Sequence, residues 1–394
     1  MSIGWWAFER APTGTDNLLE FARRYLRPLT RYAMPVRRMT ARTTGAGLRS
    51  ILVAGAGAPL PYLERRLFLG EVSSEPIGNY LAHRLTGALL AAGQDDDLIV
   101  ARVARPLAKL VSDARFVRVP DLVDIWLDLR DPASIPRRMH RNARRAVQMI
   151  RKGDYSWSDE HEPAAFERFY DEYYVPFAKS RHGDLAALRH RPVLRRQFRR
   201  GGVLWVRKGR AAAAGLLYRV DGRVATLSAV GIHGGDLAAR RQGVLDAARL
   251  FAIDLTIDRG LDWVNLGGCL PSMRDGSLLG KRAWGGELRE RRESHHDLLV
   301  CWPRFTTRIA RFLADMPLIV RDRDGLAALA ALPGDEPAEP RLAQRLWRQW
   351  EMPELRRLHI VRAGGWHGRH SMDAPPFDAN IRLCVAGTVE ALSL

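Results

Sequence analysis

From Arg137 to Lys152 the chain reads RRMHRNARRAVQMIRK, with seven cationic side chains and no acid. Met139, Ala143, Ala146, Val147 and Ile150 recur at helical spacing and make one apolar face. Arg138, Arg141, Arg145, Gln148 and Lys152 recur at the same period on another. Surface helices ordinarily mix signs, because like charges at i,i+4 repel. A stripe of one sign suits phosphate, diphosphate, nucleic acid or an anionic membrane. A solvated basic face is the bland alternative, and the stripe by itself leaves the two equally open. The whole chain leans the same way. In 394 residues, 62 Arg and Lys against 44 Asp and Glu give a net charge of +18, which attracts an anionic partner at long range without naming it.

Other residue types narrow the chemistry by exclusion. Cys269, Cys301 and Cys384 have no metal-type spacing, and reduced thiols in a cytosolic protein account for them. His295-His296-Asp297 and the His367/His370 pair invite metal or triad readings. Adjacent histidines on a strand point to opposite faces, however, and no third ligand stands at metal spacing; they read as structural, and no metal is expected. Gly55-Ala56-Gly57 is followed at once by Pro59 and Pro61, where a dinucleotide loop needs a helix to open. There is no G-x-S-x-G elbow and no P-loop. Asp262, Asp275 and Glu287 lie near expected strand ends and are weak general-base candidates, since acids there are more often caps or salt-bridge partners.

The elements that position these residues read as mixed α/β. Strands are expected at Arg49–Ala54, Asp97–Val103 and Val123–Leu129, with a helix over Glu75–Ala92. After the basic helix come a short strand at Tyr155–Trp157 and a helix over Pro163–Ala178. In that helix Phe166, Phe169, Tyr170 and Tyr173 form an aromatic stripe that reads as core. The clearest signal follows: strands at Val203–Arg207, Ala211–Val220 and Arg223–Val230, joined by a Lys208-Gly209-Arg210 turn and an Asp221-Gly222 turn, form an antiparallel meander. A GIHGGD loop leads into a long helix over Leu237–Arg259, a strand at Asp262–Leu266, a short helix over Leu278–Ala283 and a strand from Glu287. The PGDEPAEP segment, Pro333–Pro340, reads as linker. Phe21–Tyr32 and Leu342–Trp350 are short basic amphipathic runs.

Meander, Gly-containing loop, long helix and further strand resemble the core of the GNAT acyltransferase superfamily. Within it the chain looks most like the branch of Fem-type aminoacyl transferases and polysaccharide-linked acetyltransferases. Four features carry the resemblance: the basic helix, the aromatic helix leading to Ser180-Arg181-His182-Gly183, the DWVNLGG strand and turn (Asp262–Gly268), and DGSLLGKRAWGG (Asp275–Gly286). The resemblance covers roughly residues 130 to 300. It implies a GNAT-like mixed sheet flanked by helices, two neighbouring strands splaying apart to leave a donor cleft, and a tandem arrangement. The implied units are an N-terminal, degenerate one over 1–130, the acyltransferase core over 131–300, and a helical, irregular extension over 301–394.

The activity so implied is N-acyl or aminoacyl transfer to an amine from acyl-CoA, acyl-carrier protein or aminoacyl-tRNA, as co-substrate rather than tightly bound cofactor. Lys281 is then the leading catalytic candidate, placed to stabilise an oxyanion or a phosphate, with Asp275 beside it. Arg141, Arg145, Arg181, His182, Gly234, Gly235, Arg240, Arg241 and Trp284 are the donor- and substrate-binding candidates. Gly234, Gly235, Arg240 and Arg241 lie in the stretch that would open the long helix on a phosphate. Leu245 departs from the superfamily's small residue after Arg240-Arg241-Gln242-Gly243 and crowds a coenzyme A pyrophosphate, which disfavours an ordinary acetyl-CoA enzyme. Expected partners are an anionic donor or acceptor and tRNA. The expected location is the cytoplasm, with peripheral contact at the inner membrane face open and no transmembrane segment. The alternative from another class is a non-catalytic nucleic-acid- or membrane-surface-binding protein on a decayed acyltransferase fold, with Arg138–Lys152 and Arg189–Arg200 as phosphate clamps.

Overall fold

The computed structural model describes residues 33–41, 47–55, 72–111, 115–183, 186, 188–291, 293–323, 325–331, 348, 352, 354–362 and 381–385 of the chain. The expectations for Phe21–Tyr32, Pro333–Pro340, His367 and His370, and nearly all of Leu342–Trp350, lie outside these residues. In chain order the first strands are β1 (Ala33–Ala41), β2 (Ser50–Ala54) and β3 (Val72–Leu81), then helix α1 (Ala82–Ala92), β4 (Leu98–Ala104), α2 (Arg105–Val111), β5 (Val117–Pro120) and β6 (Val123–Asp128). Next come α3 (Ile135–Arg138), α4 (Arg141–Lys152), β7 (Tyr155–Glu160) and α5 (Pro163–Arg168). A π-helical turn (Phe169–Tyr174) joins α5 to α6 (Val175–His182), and α7 (Arg191–Phe198) precedes the meander β8 (Gly201–Lys208), β9 (Ala211–Asp221) and β10 (Val224–Ile232). Then follow α8 (Leu237–Arg241), α9 (Val244–Asp258), β11 (Trp263–Cys269), α10 (Gly276–Arg282), β12 (Glu287–Glu290) and β13 (His296–Cys301). The last elements are α11 (Thr307–Asp315), β14 (Leu318–Asp322), β15 (Gly325–Ala331), β16 (Leu355–Arg362) and β17 (Ile381–Val385).

The fold is mixed α/β, with three sheets among the described residues flanked by helices, in strand orders β3-β1-β2-β4-β13-β5, β12-β6-β11-β10-β9-β8-β7 and β14-β15-β16-β17. The two larger sheets repeat one pairing pattern. In the first, β1/β2 is antiparallel, β2/β4 parallel, and β4/β13 and β13/β5 antiparallel. In the second, β9/β10 is antiparallel, β10/β11 parallel, and β11/β6 and β6/β12 antiparallel. The next-to-last strand of each comes from the other half of the chain. β6, ahead of residue 131, enters the second sheet, and β13, which ends at residue 301, enters the first. The two sheets therefore interlock across the expected boundary between residues 130 and 131.

One face of the second sheet is covered by α9, through Ala247, Ala248, Leu250 and Phe251 over Leu204, Leu216 and Val264. Phe166, Phe169, Tyr173 and Phe198 cover Val203, Trp205 and Leu217 on the other face. The two sheets differ at their parallel pair. β2 and β4 stay zipped over Ile51–Ala54 and Leu98–Ala101. β10 and β11 pair only over Val224–Thr226 and Trp263–Asn265, then part, leaving Thr226–Val230 of a central strand half-exposed. This is the splay that the resemblance implies.

Four sequence expectations change. Residues 75–81 belong to β3, a largely exposed edge strand that tolerates Pro76 and whose only partner among the described residues is β1. The basic stretch breaks at Met139, whose extended backbone (φ −69°, ψ 139°) separates α3 from α4. Arg138 thereby leaves the stripe and donates from Nη2 to the Asp128 carbonyl at 2.6 Å. The long helix breaks at Gly243, left-handed at φ 88°, into α8 and α9. Among the described residues, the C-terminal part carries a helix and a four-stranded sheet, where a helical and irregular extension was expected. β15 reads GLAALAA and is buried on both faces, so it lacks the alternation that marks a strand.

Candidate active site

Where β10 and β11 part, a cleft of about 270 Å³ opens against α7 and the loop that follows β12. Its middle is a polar row laid across three adjacent strands, Arg219 opposite Thr226 and Thr226 beside Asn265. Asn265 donates from Nδ2 to Asp124 on β6 at 3.0 Å and accepts the Gly267 N–H at 2.8 Å, so one amide ties the acid to the turn that ends the strand. Gly268 allows Arg291 to reach that acid, since a Cβ there would collide with the Arg291 guanidinium. Arg291 lies 3.5 Å from Asp124 and 3.7 Å from Glu293. Arg219 pairs with Asp221 at 2.7 Å and with Glu293. Burial, helped by the neighbouring Arg189, Arg200 and Arg291, lowers the Arg219 pKa to about 10.

Arg189 is held differently. Its N–H is accepted by the Tyr174 hydroxyl at 2.9 Å, and its carbonyl accepts from the Tyr170 hydroxyl at 3.3 Å. Both tyrosines belong to the π-helical turn, whose extra residue re-aims successive side chains. The aromatic stripe thus does more than fill a core. It pins an irregular segment so that Arg189 donates from Nη1 to the Ser228 carbonyl on β10 at 2.7 Å. Burial, then the nearby Arg291, lowers the Arg189 pKa. No carboxylate among the described residues pairs with it. Two further groups of the cleft are buried without a partner among the described residues, Ser228 Oγ and Gln197 Oε1.

The residues singled out from the sequence distribute as follows. Lys281, on α10, donates to the carbonyls of Gly267 and Gly268 at 2.8 and 2.9 Å, clamping the floor of the cleft from behind. Burial lowers its pKa. Asp275 is 4% exposed and caps α10, accepting the Leu278 N–H at 2.9 Å. It acts on the helix that carries Lys281 and is not presented to a substrate. Trp284, 2% exposed, packs in the core, so its expected substrate contact gives way to a packing role. Asp262 is paired with Arg223 and Glu287 with Arg289.

Arg141 and Arg145 are exposed on α4 and have no acidic partner among the described residues. The His140 N–H donates to the Ala283 carbonyl at 2.8 Å, which starts that helix beside the end of α10. Arg181 is exposed at the end of α6; His182 closes the same helix, and its side chain lies outside the described residues. Gly235 packs against α6, where a Cβ would meet the Pro176 carbonyl at 2.7 Å, while Gly234 stands in open space.

Arg240 and Arg241 are exposed on α8. The expected phosphate place at the start of α8 is filled by the protein's own acid, because Asp236 accepts the Ala238 N–H at 2.7 Å. α9, which starts again after Gly243, has no side-chain cap. The Arg189–Arg200 stripe is largely neutralised: Arg191 bonds Glu167 at 2.7 Å and Asp171, Arg195 bonds Glu167 at 2.5 Å, and Arg200 bonds Asp221.

The acids and amides of the cleft escape a reading of the sequence because each looks isolated in the chain. The available signal was polar residues inside otherwise apolar strands: Asp124 in VDIWLD, Thr226 and Ser228 in VATLSAVGI, Asn265 in WVNLGGC. A second cavity, about 450 Å³ and lined by apolar side chains apart from Ser272, lies between the first sheet and β14 and offers no group for chemistry. No cluster of metal-ligating side chains occurs among the described residues. No helix among them is long and apolar enough to cross a membrane.

No protein-family model matches the chain, and no curated protein sequence does. Among solved structures, the chain is similar to L-PGS from Bacillus licheniformis, at 10% identity and TM-score 0.36, over 76% of this chain and 95% of that one. It is similar to FemX at 10% identity and TM-score 0.29, over 67% and 88% of the two chains. It is also similar to a tandem GNAT protein from the clavulanic acid biosynthesis pathway, at 14% identity and TM-score 0.28, over 75% and 90%. The functional reading rests on the cleft itself.

Proposed function

We propose that this protein is an N-acyltransferase of GNAT type that moves an acyl or aminoacyl group to an amine in the cleft between β10 and β11. The observation that carries the reading is the splay. The parallel ladder ends at Thr226 and Asn265, so peptide groups of β10 beyond that point face an open, polar space instead of a neighbouring strand. Such N–H groups are preorganised donors for a carbonyl oxygen that gains charge on attack. In the reaction the amine nitrogen forms the new C–N bond and the donor's C–S or C–O bond breaks. The ammonium proton is lost to Asp124 or to water, and the thiol or hydroxyl departs. Lys281 acts by fixing Gly267 and Gly268. Orientation of this kind supplies much of the rate in acyl transfer.

The donor is acyl-CoA, acyl-carrier protein or aminoacyl-tRNA, each with a phosphate handle. The uncapped start of α9, with Arg240 and Arg241 before it, and the Arg141 and Arg145 face of α4 are the cationic surfaces available to that handle. A cytoplasmic location, with the basic face turned to anionic partners, accords with this assignment.

The test offers full-length protein each donor class with a panel of amines and follows donor discharge and product by mass spectrometry. Amine-dependent discharge of one class is expected. Failure of all three would favour the binding-protein alternative, for which the unpaired cations of α4 are the specific observation. Salt-dependent binding to RNA or to anionic vesicles, abolished in an Arg141→Ala/Arg145→Ala variant, would then follow.

A further inference from the structure

We propose that the cleft seats a carboxylate of the substrate, between the guanidinium of Arg189 and the hydroxyl of Ser228. This rests on the reading of the cleft as the transfer site and adds the chemical class of what enters it.

Charge balance gives the first reason. Arg189, Arg219 and Arg291 line the cleft with Asp124 and Glu293. Arg291 is matched by Asp124, and Arg219 by Glu293. Asp221, which also touches Arg219, is shared with Arg200. Arg189 is left over, with a peptide carbonyl as its only acceptor among the described residues. An unmatched cation in a desolvated cleft is costly, and an incoming anion relieves that cost. One unmatched charge suits a monoanion. A phosphate dianion would bring a second negative charge against Asp124 and Glu293. A planar carboxylate also fits the guanidinium fork, which presents parallel N–H donors.

Hydrogen bonding supplies the second, independent reason. Ser228 Oγ and Gln197 Oε1 are buried and, among the described residues, unpartnered. Buried polar groups are almost always satisfied, so orphans lining a cleft mark a ligand's place. Ser228 donates a hydroxyl proton to an anion, and the Gln197 amide, turned over, donates its NH₂. Positioning gives the third. Two tyrosine hydroxyls hold the Arg189 peptide, one at its N–H and one at its carbonyl. That investment of buried hydroxyls fixes where the guanidinium lies.

The carboxylate belongs either to the accepting amine or to the acyl group, and matched probes separate the two. On the acceptor side, γ-aminobutyrate is compared with γ-aminobutyramide. On the acyl side, succinamate is compared with succinamide. Binding of each to the full chain is measured by calorimetry, and thermal unfolding is followed in parallel. One carboxylate should bind at least roughly tenfold more tightly than its amide. Ser228→Ala should weaken that carboxylate by about tenfold while leaving the melting temperature unchanged or raised, because the hydroxyl has no partner to lose. Arg189→Gln should abolish the preference for acid over amide.

The proposal is overturned if neither carboxylate binds, if acid and amide bind alike, or if Ser228→Ala binds the acid as well as wild type does. Should Arg189→Gln fail to fold, the Ser228→Ala comparison decides alone. Carboxylate binding without any donor discharge would count against acyl transfer and leave this assignment standing.

Discussion

Lys281 shows how a residue singled out for its charge can act through its donors. Its ammonium is engaged by two consecutive glycine carbonyls, and a Cβ added at Gly267 would lie 3.5 Å from it. Lys281→Met removes both bonds from two half-buried carbonyls, at a cost of about 1–3 kcal/mol for each group left unsatisfied. The Gly267–Gly268 turn then shifts, and turnover is expected to fall more than donor affinity does. Lys281→Arg should not restore it, because a planar fork cannot occupy the place of a compact ammonium beside the turn. Chemical denaturation and single-turnover rates on both variants check this. A Met variant with wild-type stability and rate would mean the clamp is idle.

At the scale of elements, α4 carries the clearest separation of folding from binding. Ala143 and Ile150 are buried on one side, while Arg141, Arg144 and Arg145 are exposed on the other. The Arg141→Ala/Arg145→Ala variant should therefore unfold within about 0.5 kcal/mol of wild type, as surface substitutions do. If the face binds phosphates, affinity for the anionic donor should drop. Its salt dependence should also flatten, by roughly one unit of slope for each phosphate no longer neutralised. Titration of donor affinity against salt reads this directly. An unchanged slope would leave α4 a solvated face. The break at Met139 matters here, because it turns Arg138 away to bond the Asp128 carbonyl.

Across the whole molecule, the exchanged strands make the halves depend on one another. A fragment of residues 131–300 lacks β6, which stands between β11 and β12. It should expose two strand edges and fail to show cooperative unfolding, whereas co-expression with residues 1–130 should restore it. Circular dichroism and hydrogen exchange on the fragment, alone and paired, distinguish the outcomes. A fragment that folds alone would show that the interlock is dispensable.

The returning strand also carries a pH signature. Burial, with Arg102 and His295 adding, pushes His296 at the start of β13 down to about 4. Between about pH 4 and the ordinary histidine value near 6.5, the unfolded chain then binds more protons. This contribution to stability is complete above about pH 6.5 and is lost as pH falls toward 4, worth roughly 1–3 kcal/mol after solvent screening. Urea unfolding at pH 7 and pH 5 should show a shallower loss in His296→Gln than in wild type. Equal losses would mean the imidazole titrates normally.

The local chain determined a good deal. The tight turns at Lys208-Gly209-Arg210 and Asp221-Gly222 place the meander within a residue or two of β8, β9 and β10, because strand pairing across short turns is a local matter. The aromatic helix, the short α10 and the 3.6-residue period of α4 were legible for the same reason. What the tertiary structure alone decided is where non-local partners meet. β3 is a strand only because β1 lies beside it, and β15 hides its alternation because both its faces are buried. The exchange of β6 and β13 leaves no local trace. The cleft is the strongest case. Asp124, Arg189, Ser228, Asn265 and Arg291 are scattered over the chain, and only the parting of β10 from β11 brings them to one wall. Each was readable as a polar residue, and none as a partner of the others, because electrostatic and hydrogen-bond complementarity is a property of distances that the linear order does not contain.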